Sequence, residues 1–162
     1  MIVEASIDGE TLRVDSEGEI VKLIARIMSD LKSELPAAVG IDPGTTASMH
    51  VFDVSNEAQM PPYAENSIRV GVNKATGYGG IVWWGPEVDG QPNEHYWVTD
   101  NDSPPDFDPR VTSDQCFPLW YDRRSAIAVT DVEQALWEFC TSKGMRPTAV
   151  RWVPADPSGQ RL

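Results

Sequence analysis

The chain has 162 residues, and its apolar and charged fractions of 41% and 23% suit a soluble globular unit that buries a core without staples. Its net charge of −12 repels nucleic acid and anionic membranes and favours basic partners. No stretch approaches the roughly 20 apolar residues of a membrane span. The opening MIVEASIDGE carries an acid where a secretory signal has basic residues and an apolar run, so a cytoplasmic location is expected.

Residues 2–15 predict a hairpin, with Asp8-Gly9 as a type I′ turn between runs rich in β-branched residues. Ser16 and Glu19 form a capping box ahead of Ile20, Leu23, Ile24, Ile27, Leu31 and Leu35 at helical spacing. That helix is expected to stop near Leu35, because Pro36 disfavours helical geometry in the residue before it. After Asp42-Pro43-Gly44 the period becomes two. Met49, Val51 and Asp53 alternate with His50, Phe52 and Val54; after a polar link, Ile68, Val70 and Val72 alternate with Arg69, Gly71 and Asn73.

Gly77-Tyr78-Gly79-Gly80 is expected as a turn, Ile81-Val82-Trp83-Trp84 as its return strand, and His95-Tyr96-Trp97-Val98 as a further strand. Pro92, Pro104, Pro105 and Pro109 keep the stretch around and after that strand irregular. Thr130 and Glu133 make a second capping box, followed by the stripe Val132, Leu136, Phe139 and Cys140. Gly144 and Pro147 end that helix, residues 149–153 form a last strand, and a polar tail runs from about residue 154 to 162. The expected fold is α+β, one domain over residues 1–162. Its largely antiparallel sheet has about five to seven strands flanked by two main helices.

Few residues point to catalysis. Neither His50 nor His95 sits in a nucleophile motif, and no G-x-S-x-G elbow is present. Two cysteines and two distant histidines make a poor zinc set, with Cys140 expected as a small buried thiol. The glycines at 77, 79 and 80 precede a strand instead of the helix a phosphate loop requires. Asp100-Asn101-Asp102 starts like a calcium loop, but Pro104 and Pro105 occupy the positions that need a ligand and a glycine. No cofactor or metal is expected, and none of the 25 acids stands out as a glycosidase pair.

The distribution of charge is more informative. Residues 86–115 hold Glu87, Asp89, Glu94, Asp100, Asp102, Asp106, Asp108 and Asp114 against Arg110 alone, which is more than half of the net charge in 30 residues. This stretch adjoins the pairs Trp83-Trp84 and Tyr96-Trp97. Neighbours on a strand point to opposite faces, so helices on one face only would leave one ring of each pair outside; cover on both faces would make all four core. Exposed rings beside carboxylates would make a hot spot for a basic protein. The candidate contact residues are Trp84, Glu87, Asp89, Glu94, Trp97, Asp100, Asp102, Asp106 and Asp108.

The C-terminal run Val132-Glu133-Gln134-Ala135-Leu136-Trp137-Glu138-Phe139, then Gly144-Met145-Arg146-Pro147-Thr148-Ala149-Val150-Arg151-Trp152, resembles immunity-protein family one of bacterial polymorphic toxin systems. Members end in an amphipathic helix, Gly-x-Arg-Pro, a short strand and a Trp; the aromatic strands at 81–84 and 95–98 are also similar in placement. The resemblance implies a small non-enzymatic α+β protein encoded with a toxin, which binds the toxin domain and blocks its active site. Family toxins include nucleases and deaminases acting on nucleic acid, whose basic clefts complement an acidic loop. The partner expected is therefore a cognate, basic toxin domain, not nucleic acid or membrane. The motif residues themselves suit structural roles: Gly144 and Pro147 as helix stop, Trp152 in the core, and Arg146 paired with a helix carbonyl or an acid. Two other readings stand beside this one. One is a small enzyme, marked by a pocket where His50 or His95 meets a carboxylate; the other is an acidic binding module with no toxin.

Overall fold

Val3, Ala5 and Ile7 are buried on one side of the first strand, and this period of two runs through the sheet. The computed structural model describes residues 1–52, 66–86 and 95–162. In it β1 (Ile2–Ile7) turns through Asp8 and Gly9, both at positive φ, into β2 (Glu10–Val14). Next come α1 (Glu17–Asp30), the short strands β3 (Leu35–Pro36) and β4 (Ile41–Asp42), β5 (Thr46–Phe52), β6 (Ser67–Asn73), β7 (Tyr78–Gly85) and β8 (His95–Asp100). The chain ends with β9 (Thr112–Asp114), β10 (Leu119–Trp120), a 3₁₀ turn (Arg123–Ser125), β11 (Ile127–Ala128), α2 (Val129–Thr141) and β12 (Arg151–Ala155).

The main sheet runs β12-β8-β7-β6-β5-β1-β2, with every pairing antiparallel. β11 adds an eighth strand by pairing with Gly79 and Tyr78 at the start of β7. The expected α+β class holds, with this hook as the strand beyond seven. Two ribbons, β3–β4 and β9–β10, stand off the sheet.

Both helices lie on one face. Ile20, Leu23, Ile24 and Ile27 of α1 and Val132, Leu136, Phe139 and Cys140 of α2 share a core with Val3, Met49, Val70, Ile81 and Trp83 of the strands. A smaller cluster of Val82, Val98, Val111, Tyr121 and Ala155 lies on the other face, where the segment after β8 folds back over the sheet.

Four local expectations need correction. α1 ends at Asp30, ahead of the proline. Leu31 keeps its N–H on the Ile27 carbonyl, turns out of helical geometry and sinks into the core. Lys32 is then captured by Thr45, whose hydroxyl takes the Lys32 N–H and whose N–H reaches the Lys32 carbonyl, both at 2.9 Å. Tertiary pairing thus stops the helix before Pro36 acts, and Leu35 lies exposed in β3. At the start of α1, Ser16 Oγ bonds the Glu19 carboxylate at 2.9 Å and caps no backbone N–H. The tight turn falls at residues 74–77, while Gly79 and Gly80 lie within β7. A side chain at Gly79 would meet Val132 and Val72 at 2.8 and 2.9 Å, and one at Gly80 would meet the Tyr121 ring at 2.6 Å. Those glycines admit neighbours from both faces. Finally, α2 starts at Val129 with Ala128 as its cap, its entry fixed by β11, and Thr130 lies inside it.

The terminal residues fold back. Asp156 accepts the N–H groups of Ser158 and Gln160, and Gln160 donates to Ser113 Oγ and the Trp120 carbonyl.

Candidate functional site

The acidic stretch leaves the sheet at the end of β8. Asn101 fixes the exit: its N–H bonds the Arg124 carbonyl at 2.7 Å, its side chain donates to the Ala126 carbonyl at 2.6 Å, and its Oδ1 accepts from Ser103 N. Pro105 and Pro109 are buried, and their carbonyls are held. Arg123 donates to Pro105, while Asn73 and Thr76 donate to Pro109 at 3.0 and 3.1 Å. Arg110 then grips Glu34 through two bonds of 2.9 and 2.8 Å and stacks over the Trp120 ring at 3.8 Å. The hydrogen bond from Arg110 comes first among the causes that hold the Glu34 carboxyl below its usual range. The prolines keep this segment irregular, as expected, and its backbone is pinned at several points.

The carboxylates divide into two groups. Asp100 belongs to β8, with its side chain 14% exposed, and takes Arg161 at 2.8 Å and Arg151 at 3.4 Å. It is neutralised within the fold. Asp114 accepts the Cys116 and Phe117 N–H groups and shapes the β9–β10 turn. Asp102, Asp106 and Asp108 face solvent. Asp102 meets Arg151; Asp108 accepts Arg110 N at 2.9 Å; Asp106 has no ion-pair partner among the described residues. Two guanidiniums therefore occupy Asp100 and Asp102, the pair that resembled the start of a calcium loop. Glu87, Asp89 and Glu94 lie outside the described residues, as do Asp53 and Val54 of the expected β5 alternation and Pro92.

The aromatic pairs split across the sheet as strand geometry requires. Trp83 is sealed at 1% exposure, its indole N–H on the Gly144 carbonyl at 3.1 Å. Its register partner Trp97 is on the same helix-bearing face, half-buried, with Arg146 stacked over it at 4.0 Å. Trp84 and Tyr96 pair on the opposite face, ring centroids 6.4 Å apart. Trp84 and Trp97 do not share a surface. A ring that the sequence reading missed is Phe107, 46% exposed between Asp106 and Asp108 and edge-on to Tyr78 at 5.9 Å. Its signal was an aromatic set between two aspartates and closed by Pro109, a turn tip too short to register as an apolar run.

His50 stands opposite Glu4 in the β1–β5 pair, but Glu4 takes Arg13 Nε at 2.5 Å. Burial pushes the His50 pKa down, with Glu4 opposing, and its Nδ1 has no partner among the described residues. His95 opens β8 opposite Gly85. Among the described residues no group of three His, Cys, Asp or Glu side chains is placed to hold a metal, and no helix is long and apolar enough to cross a membrane.

The family model for Immunity protein Imm1 matches residues 8–154, nearly the whole chain. The chain belongs to the Imm1 family. Comparison with curated proteins and with solved structures gave no match.

In this Imm1 protein the terminal motif builds a corner of the fold. Gly144, at φ 83°, sends its N–H back to the Phe139 carbonyl and ends α2. Its own carbonyl serves Trp83 and Asn66. Arg146 covers Trp97, and the Pro147 carbonyl takes the Trp152 indole N–H at 2.7 Å. Glu138 on α2 accepts from Thr148 N, Thr148 Oγ1 and Ala149 N, all within 2.9 Å. Burial opposes its ionisation, yet these bonds outweigh it and hold its carboxyl below the usual range. The motif positions β12 on β8, and so places Arg151 beside Asp100 and Asp102.

Proposed function

We propose that this Imm1 protein neutralises a cognate toxin domain that acts on nucleic acid, a nuclease or a deaminase, by seating its acidic loop over the toxin's basic cleft and occluding the active site. The observation that carries this reading is the form of the loop: a pinned backbone from which Asp102, Asp106 and Asp108 face solvent. A loop already ordered loses little entropy on docking, and carboxylates at fixed positions raise the association rate of a basic partner. Trp84 is the indole on the loop-bearing side and is the one assigned to the toxin, together with Glu87, Asp89 and Glu94, which lie outside the described residues. Asp100 and Trp97 are committed to contacts within the fold. Neutralisation takes place in the cytoplasm of the cell that carries the toxin gene.

The test is inhibition. The toxin domain encoded by the adjoining gene is assayed on nucleic acid with and without the purified protein. Stoichiometric loss of activity is expected; full activity in the presence of excess protein would reject the reading.

A further inference from the structure

Among the described residues, a run of exposed apolar side chains lies away from the aromatic strands. In residues 35–42, Leu35 is 60%, Val39 94% and Ile41 52% exposed, and every residue of the β3–β4 ribbon faces solvent. A two-stranded ribbon is marginal by itself in water, and this one buries none of its large side chains. It is nevertheless held at both stems. Glu34, just before it, is gripped by Arg110; the carbonyl of Pro43, just after it, accepts from Thr112 Oγ1. Below these, the Lys32 N–H bonds the Thr45 hydroxyl and the Thr45 N–H bonds the Lys32 carbonyl. The turn is closed by Ala37 N on the Gly40 carbonyl.

The same Arg110 that holds the ribbon also ends the acidic tip. The apolar finger and the Asp106-Phe107-Asp108 tip thus share one root. Around them stand Glu34, Asp42, Asp106 and Asp108 against the cations Arg110 and Lys74, while Lys32 is taken by Asp8. An apolar centre with an acidic margin is the arrangement of a docking surface, not of a solubilising one.

We infer that the 35–42 finger is the apolar anchor of the toxin interface, inserted into an apolar slot on a basic face of the toxin domain, with the 106–108 tip beside it. This rests on the toxin-binding reading and adds the element that supplies the buried area. Charge selects the occupant. A second copy placed symmetrically on this patch would bring like acids together, and an anionic membrane would be repelled by the same groups.

Val39→Asp and the double variant Leu35→Ser/Ile41→Ser test it, because these side chains are exposed and their loss leaves the core intact. Affinity for the toxin domain of the adjoining gene is measured by calorimetry, with thermal melting to verify folding and sedimentation to define the oligomer. Unchanged melting with at least about 30-fold weaker binding for either variant is expected, the scale of an interface hot spot. Variants that bind like the unmodified protein overturn the finger and leave the toxin reading standing. An unmodified protein that does not bind fails the toxin reading itself and takes the finger with it. A dimer that either variant turns into a monomer assigns the finger to a second copy and overturns the inference.

Discussion

Asp100 and Asp106 are six residues apart and have opposite fates. Asp100 sits between two arginines at the end of β8, whereas Asp106 meets solvent. Asp100→Lys would place a third cation beside Arg151 and Arg161 and is expected to cost several kcal/mol, on the order of a broken buried ion pair after discount for partial exposure. Asp106→Lys should change stability by less than about 0.5 kcal/mol in urea unfolding. Glu138→Ala removes the acceptor of three donors at the Pro147 corner and should cost about 1–3 kcal/mol in the same experiment. The cysteines differ as sharply. Burial pushes the Cys140 thiol up to about 12, while Cys116 is exposed on the β9–β10 turn. A thiol reagent at neutral pH should label one cysteine in the native protein and two in denaturant.

At the scale of elements, hydrophobic period and the Asp8-Gly9 turn revealed most of the fold, whereas neither capping box formed as read. The hairpin at Asp8-Gly9, the stripes of α1 and α2 and the alternation in β5 and β6 follow from spacing alone, because burial on one face imposes it. The end of α1 was not legible, since it depends on Thr45, 13 residues beyond Lys32. Nor was the place of Gly79 and Gly80 in β7, because the reason for them is Tyr121 and Val132 packing from distant segments. Gly80→Ala is expected to push the Tyr121 ring away and lower stability by roughly 1–3 kcal/mol, the cost of overpacking, with loss of near-ultraviolet aromatic signal as the second readout. In the 3₁₀ turn, the Asp122 carboxyl is held at about 2, chiefly by its hydrogen bond from Arg124. A carboxylate with a depressed pKa in the folded state contributes stability above its ordinary value of about 4, and that contribution fades as pH falls towards 2. Asp122→Asn should flatten the loss of stability across that window.

At the scale of the molecule, the acidic stretch was legible as charge but not as a surface. β8 runs through the middle of it, its six residues spanning about 17 Å at the usual rise per residue, so its described carboxylates lie at or beyond the end of the strand remote from Trp84. Arginines at 151 and 161, far on in sequence, neutralise part of it. What is left without an arginine from the C-terminal segment is Asp106 and Asp108, with Phe107 between them; Asp102 faces solvent while holding Arg151.

The most direct measurement is the affinity of the adjoining gene's toxin domain for the Asp102→Lys/Asp106→Lys/Asp108→Lys protein, set against the unmodified one at low and high salt. At low salt we expect binding at least about 30-fold weaker and a smaller salt dependence, because the lost charges are those that draw in and hold the basic face. Equal affinity at low salt, with both proteins folded, would contradict the claim that the acidic loop is what the toxin meets.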